Sequence, residues 1–219
     1  MKHLILIGAL LSFNVFADCG KQLEILAEFE GFKPYCYKDN KQWSVGFGSA
    51  NLCKDMKATG RKTITRKEAF KYLTKEFQTY KKTTQRIGFK GTETEICILA
   101  TLVYNKGGRN IKESGFVQTW NEWERTKTKK AKEAVMQEAL QMSCSKQNER
   151  WVFVNGLFIR QVIVLKMLFG NYHKASEHEQ LRSYIDNNEI ELKNRFKKYC
   201  NDKGKSTKQL MDDLIDKIK

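Results

Sequence analysis

The sequence contains a single proline, Pro34, among 219 residues. That scarcity excludes a proline-rich linker and points to one continuous body rather than two tethered domains. Histidine is nearly as rare, with three in all. His3 lies at the extreme N-terminus, and His173 and His178 sit in a polar segment, so a Cys–His hydrolase has little to build on. No CxxC pair occurs, and the wide cysteine spacings do not form a zinc-ligand pattern; no metal is expected. Beyond residues 4–16, no apolar run approaches the ~20 residues that a membrane-spanning helix needs. Acidic residues are also short: 25 against 40 basic, for a formal charge of +15. An excess of that sign suits anionic polymers or an anionic membrane surface. A recognised nucleic-acid motif or a repeated basic–aromatic module is missing, so nucleic acid is not the expected partner.

The N-terminus carries the pattern of an export signal. Lys2 and His3 precede an apolar run from Leu4 to Phe16, and Val15-Phe16-Ala17 offers a small-residue cleavage site. Cleavage after Ala17, with release to the periplasm or the medium, is the expectation. Asp18 before Cys19 is wrong for a lipoprotein. Six cysteines follow: Cys19, Cys36, Cys53, Cys97, Cys144 and Cys200. An even number in an exported chain reads as disulfides. Cys36 and Cys53 flank a turn-rich stretch and are the favoured pair. Cys97 lies on an apolar helix face and fits a buried free thiol equally well.

Periodicity outlines a mainly helical protein. Residues 20–30 form a short helix through Leu23, Ile25, Leu26 and Phe29, and residues 35–48 alternate as a hairpin. A polar connector then runs to Thr63. Thr65 with Glu68 is a capping box that opens a helix to about Thr84, and Thr92 with Glu95 opens another that ends near Gly107-Gly108. Ile96, Leu99, Ala100 and Val103 make the latter the central core helix. Phe116, Trp120 and Trp123 share one helical face, which reads as core rather than sugar platform. Residues 129–142 form a lysine-rich amphipathic helix, and residues 157–169 are apolar enough to be buried. From His173 the chain is highly charged, with a last helix capped by Ser206 and Gln209. This tail either packs on the body or docks a partner or the cell wall.

The most telling stretch is Glu30-Gly31-Phe32-Lys33-Pro34-Tyr35-Cys36-Tyr37-Lys38-Asp39, followed by Trp43-Ser44-Val45-Gly46-Phe47-Gly48. Two carboxylates stand on either side of a turn, with a glycine-rich aromatic strand behind them. Cleavage of a glycosidic bond uses two facing carboxyl groups, one protonated and one ionised. Glu30 lies between Phe29 and Gly31-Phe32, an apolar setting that raises a carboxyl pKa by desolvation. Asp39 lies among Lys38, Asn40, Lys41 and Gln42, a polar setting that keeps it charged. Gly46 and Gly48 allow close backbone approach to a ligand, and Trp43 or Phe47 can line a cleft.

These residues resemble the phage-type lysozymes of glycoside hydrolase family 24. Glu30, the eight-residue gap and Asp39 match that family's pattern. Trp43 to Gly48 is similar to its next strand, Ile64 to Ala69 to the start of its following helix, Tyr104-Asn105-Lys106-Gly107-Gly108 with Ser114 to its Asn-x-Gly segment, and Gly156-Leu157-Phe158-Ile159-Arg160 to its Gly-Leu-x-x-Arg helix. The matches fall in the family's order over roughly residues 21–172. Two positions depart from it. Ser44 replaces a Thr and follows Asp39 one residue too soon, and Gln161 and Val164 stand where a second Arg and a Glu are usual.

The resemblance implies an α+β, mainly α, lysozyme-like fold: a small hairpin lobe, a long helix, and a helical lobe. With the leader and the tail read above, the chain divides into a signal peptide (1–17), a lysozyme-like catalytic domain (18–172) and a charged helical extension (173–219). It implies an N-acetylmuramidase acting as a monomer on peptidoglycan without a cofactor. Glu30 would be the acid, Asp39 the group that activates water with help from Ser44, and Trp43, Gly46, Phe47, Gly48, Asn105 and Ser114 the substrate contacts. An inverting reaction implies carboxyl groups roughly 6.5–9.5 Å apart. Two alternatives stay open: a lytic transglycosylase, which needs the acid but no water, and a non-catalytic basic protein that binds peptidoglycan or perturbs membranes.

Overall fold

The computed structural model describes residues 19–39, 42–147 and 150–170. The expected signal peptide, the charged tail and Cys200 lie outside these residues. Helix α1 (Gly20–Glu30) leads into a hairpin of β1 (Lys33–Asp39) and β2 (Gln42–Gly46), then α2 (Ala50–Ala58) and the long α3 (Arg66–Arg86). Helices α4 (Glu93–Lys106), α5 (Gly108–Glu113), α6 (Phe116–Thr126) and α7 (Lys129–Gln141) follow. A second hairpin, β3 (Cys144–Gln147) with β4 (Arg150–Phe153), precedes α8 (Asn155–Phe169). Both hairpins are antiparallel two-stranded sheets. The fold is mostly helical, with a small hairpin and a long helix ahead of a helical body, as expected.

Local chemistry sets the boundaries. Both capping boxes form: the Thr65 hydroxyl accepts from the Glu68 backbone N–H and the Thr92 hydroxyl from that of Glu95, while each glutamate side chain reaches back to its cap. Each satisfies two N–H groups that a helix start leaves open. Residues 50–58 are a helix and not the polar connector expected. The Ser49 hydroxyl accepts from the Leu52 N–H, and Leu52, Cys53 and Met56 supply a buried stripe. Three apolar residues in so lysine-rich a segment gave too weak a period to be noticed.

Two hydrophobic clusters divide the body. One joins α1, β2, α2 and the first half of α3 through Leu23, Leu26, Val45, Met56, Leu73 and Phe77. The other joins α4 to α8 through Leu99, Leu102, Ile111, Phe116, Trp120, Leu140 and Phe158. Side chains this size contribute about 1.5–3 kcal/mol each on full burial. Phe116 and Trp120 have no exposed surface, so the aromatic face of α6 is core. Helix α1 touches both bodies, because Ile25 packs on Ile163 of α8.

Two disulfides brace the small lobe. Cys36–Cys53 ties β1 to α2 and is the pair favoured from the sequence. Cys19–Cys97 ties the start of α1 to α4, so Cys97 is not a free thiol. Cys144 is also disulfide-bonded. Among the described residues, no helix is long and apolar enough to cross a membrane.

Candidate active site

Glu30 is the last residue of α1, and Gly31 ends the helix at a φ of 65°. A residue with a Cβ strains at that angle, so glycine lets the chain leave abruptly for β1. The Glu30 carboxylate is thereby held where three other elements converge. From α8, the Arg160 guanidinium lies 3.3 Å from Oε1 and 3.4 Å from Oε2. From α4, the Asn105 side-chain oxygen accepts a 3.0 Å hydrogen bond from the same guanidinium. From the loop after β2, Gly48 passes so close that a Cβ there would sit 3.7 Å from Glu30 Oε2 and 3.6 Å from the Tyr104 hydroxyl. Little of the ion pair reaches solvent: the side chains are 26% and 15% exposed for Arg160 and Glu30. A guanidinium with five fixed donors suits this task, since it can hold an amide and a carboxylate at once.

Tyr104 locks the lobes together at this point. Its hydroxyl donates a 2.7 Å bond to the Phe47 carbonyl, and its ring meets Tyr80 edge-on at 4.9 Å. Burial, reinforced by the Glu30 charge, pushes this phenol above its ordinary range, so it remains a protonated donor. Its neighbour Lys106 is half-buried. Burial first, and the Arg160 charge second, push that ammonium down to about 8.

The predicted site residues divide into two sets. Glu30, Gly48 and Asn105 come together. Asp39 ends β1, where its backbone pairs with Gln42 of β2. Ser44 pairs with Tyr37 on the neighbouring strand, is wholly buried, and its hydroxyl finds no hydrogen-bond partner among the described residues. Trp43 is elsewhere. Strand alternation turns it to the face opposite Ser44, where it is 49% exposed and lies beneath the Lys57 ammonium at 3.6 Å. Phe47 contributes its carbonyl but not its ring, which is 2% exposed and packed among Phe32 and Phe70. Gly46 serves packing, because a Cβ there would stand 2.9 Å from that of Ala69 on α3. Ser114 is spent on the turn between α5 and α6, donating to the Ile111 carbonyl and accepting from the Phe116 N–H.

Arg160, Tyr104 and Lys106 escaped selection from the sequence. Arg160 had a signal, as the first charge in the apolar run from Leu157. Among the described residues, no group of three or more His, Cys, Asp or Glu side chains is placed to hold a metal ion.

Comparison with known proteins bears on this arrangement. The family model described as "Phage lysozyme" matches residues 27–160. The fold is similar to that of an endolysin from the Escherichia coli O157:H7 phage FAHEc1, at 20% identity and a TM-score of 0.56, covering 70% of this chain and 94% of that one. It is similar also to the muramidase domain of SpmX from Asticaccaulis excentricus, at 14% identity and a TM-score of 0.57, covering 69% and 96%. Comparison with curated protein sequences gave no match.

Proposed function

The chain belongs to the phage lysozyme family, and is therefore a glycoside hydrolase of peptidoglycan; from that premise we propose how its residues divide the work. Glu30 donates a proton to the leaving oxygen of the β-1,4 bond between N-acetylmuramic acid and N-acetylglucosamine. Asp39 activates or orients water on the opposite face of the sugar. Arg160 and Asn105 position the Glu30 carboxyl, and Gly48 leaves room for the glycan beside it. Export through the N-terminal leader is part of the proposal, as is the attraction of a strongly basic protein to anionic wall polymers. The observation that carries the reading is the convergence of α1, α4, α8 and the β2 loop on one carboxylate.

One observation favours the transglycosylase alternative. Ser44, the residue expected to help hold water, is buried, and its hydroxyl has no hydrogen-bond partner among the described residues. A reaction closed by the muramyl hydroxyl itself has no need of that water. The test is digestion of purified peptidoglycan by the oxidised mature protein and by Glu30→Gln, with the products read by mass spectrometry. Glu30-dependent fragments with reducing muramic acid ends support the hydrolase. Anhydromuramyl ends assign the transglycosylase. Wall binding that survives in Glu30→Gln, with no sugar released by the wild type, would sink both and leave a binding protein.

A further inference from the structure

We propose that Lys106 is a substrate-binding residue that receives a carboxylate carried by the glycan strand. The inference rests on peptidoglycan being the substrate. Tyr104, Asn105 and Lys106 form the last turn of α4, and the first two already reach the site: the Tyr104 hydroxyl touches the Phe47 carbonyl, and the Asn105 amide holds Arg160. Lys106 follows directly. Most of the described lysines extend into water, but Lys106 is half-buried and close enough to Arg160 for the two charges to oppose each other.

Putting two cations together away from water costs free energy unless an anion joins them. Glu30 is the carboxylate on Arg160. No carboxylate among the described residues forms an ion pair with Lys106. The nearby cation Arg109 is turned to solvent, 88% exposed, and is paired with Glu113. Arg160 and Lys106 therefore leave one surplus positive charge when Glu30 is ionised, and two when it is protonated as the acid. An amine in that state, still protonated at neutral pH, suits an incoming carboxylate. Peptidoglycan supplies two kinds: those of the peptide stem, and the lactyl carboxylate that is exposed when the stem is removed. A polymer of N-acetylglucosamine alone supplies neither.

The test compares wild type with Lys106→Met and Lys106→Arg, with Lys129→Met as a charge-matched control at an exposed site. On intact sacculi, Lys106→Met is expected to raise KM about tenfold, the loss of one charge-assisted hydrogen bond, while kcat stays within about twofold. Lys106→Arg is expected to recover most of the deficit, and Lys129→Met to show none. Amidase-stripped glycan separates the sources: a deficit on sacculi that vanishes there assigns the stem, and one that appears only there assigns the lactyl carboxylate that stripping exposes. Binding to neutral chitin oligosaccharides should show no deficit. An equal deficit on chitin oligosaccharides, or none on either sacculi or stripped glycan, overturns the proposal. If the wild type turns over none of these substrates, the hydrolase reading fails on its own. Co-sedimentation of wild type and Lys106→Met with sacculi then still decides the lysine, by a weaker association of the variant or an unchanged one.

Discussion

Removing the two small-lobe disulfides one pair at a time should separate two kinds of support. Cys19–Cys97 spans 78 residues and Cys36–Cys53 spans 17. Loop-closure entropy then gives about 4.5 kcal/mol for the longer bridge and about 3 kcal/mol for the shorter. At about 2–4 °C per kcal/mol for a body of this size, Cys19→Ala/Cys97→Ala should melt about 9–18 °C lower than wild type, and Cys36→Ala/Cys53→Ala about 6–12 °C lower. The longer bridge has a second consequence, because it fastens the start of the helix that ends in Glu30. Without it, α1 keeps Leu23 and Leu26 in the small lobe, the Ile25–Ile163 contact and the Arg160 pair. Peptidoglycan turnover by that variant should therefore fall several degrees below its own melting point. Thermal melts, urea denaturation and turnover against temperature read these quantities. If removing the shorter bridge costs more than removing the longer, or if turnover follows melting in both variants, the reasoning is wrong.

Arg160→Lys keeps the charge and loses the fork, so turnover should drop at least about tenfold; Arg160→Met should also cost about 2–4 kcal/mol in urea, because a mostly buried carboxylate loses its counterion. Glu68 is held at about 2 by the Arg61 guanidinium, then by the Thr65 backbone and hydroxyl. Its folded value lies below its unfolded one, so its contribution is complete above the ordinary carboxylate range and fades as pH falls toward 2. Melting curves of wild type and Glu68→Gln should accordingly converge between about pH 4.5 and pH 2; parallel curves would count against the cap. A Cβ on Gly108 would meet Thr83 Cγ2 at 2.6 Å. Gly108→Ala should cost about 1–3 kcal/mol, and Thr83→Ser, which removes that methyl, should restore most of it. Additive losses in the double variant would show that the contact is not the cause.

Much of the fold was legible because its determinants are local. Capping boxes at Thr65 and Thr92, the stripes of α3 and α4 and the alternation around the first hairpin each lie within a few neighbouring residues. The elements that escaped are those whose local signal is weak. Helix α2 carries only three buried apolar residues, and β3–β4 sits in a polar stretch whose pairing depends on its partner strand. The site shows the same division. Glu30 was conspicuous through its neighbours, whereas the pairing of Arg160 is a matter of topology. Trp43 and Phe47 were named by residue type, and type does not tell which side of a strand a ring occupies. The body decided that: Phe47 faced inward to Phe32 and Phe70, and Trp43 faced Lys57 of α2.

Glu30 and Arg160 are 130 positions apart, on the first and last helices described. A ribosome makes the carboxylate early and the guanidinium late, and most of the buried core lies between them. A chain caught midway through synthesis thus holds an acid with no arginine to orient it. Competence to cut arrives with the final helix rather than accumulating along the way, so the same contact that shapes the site also times its appearance.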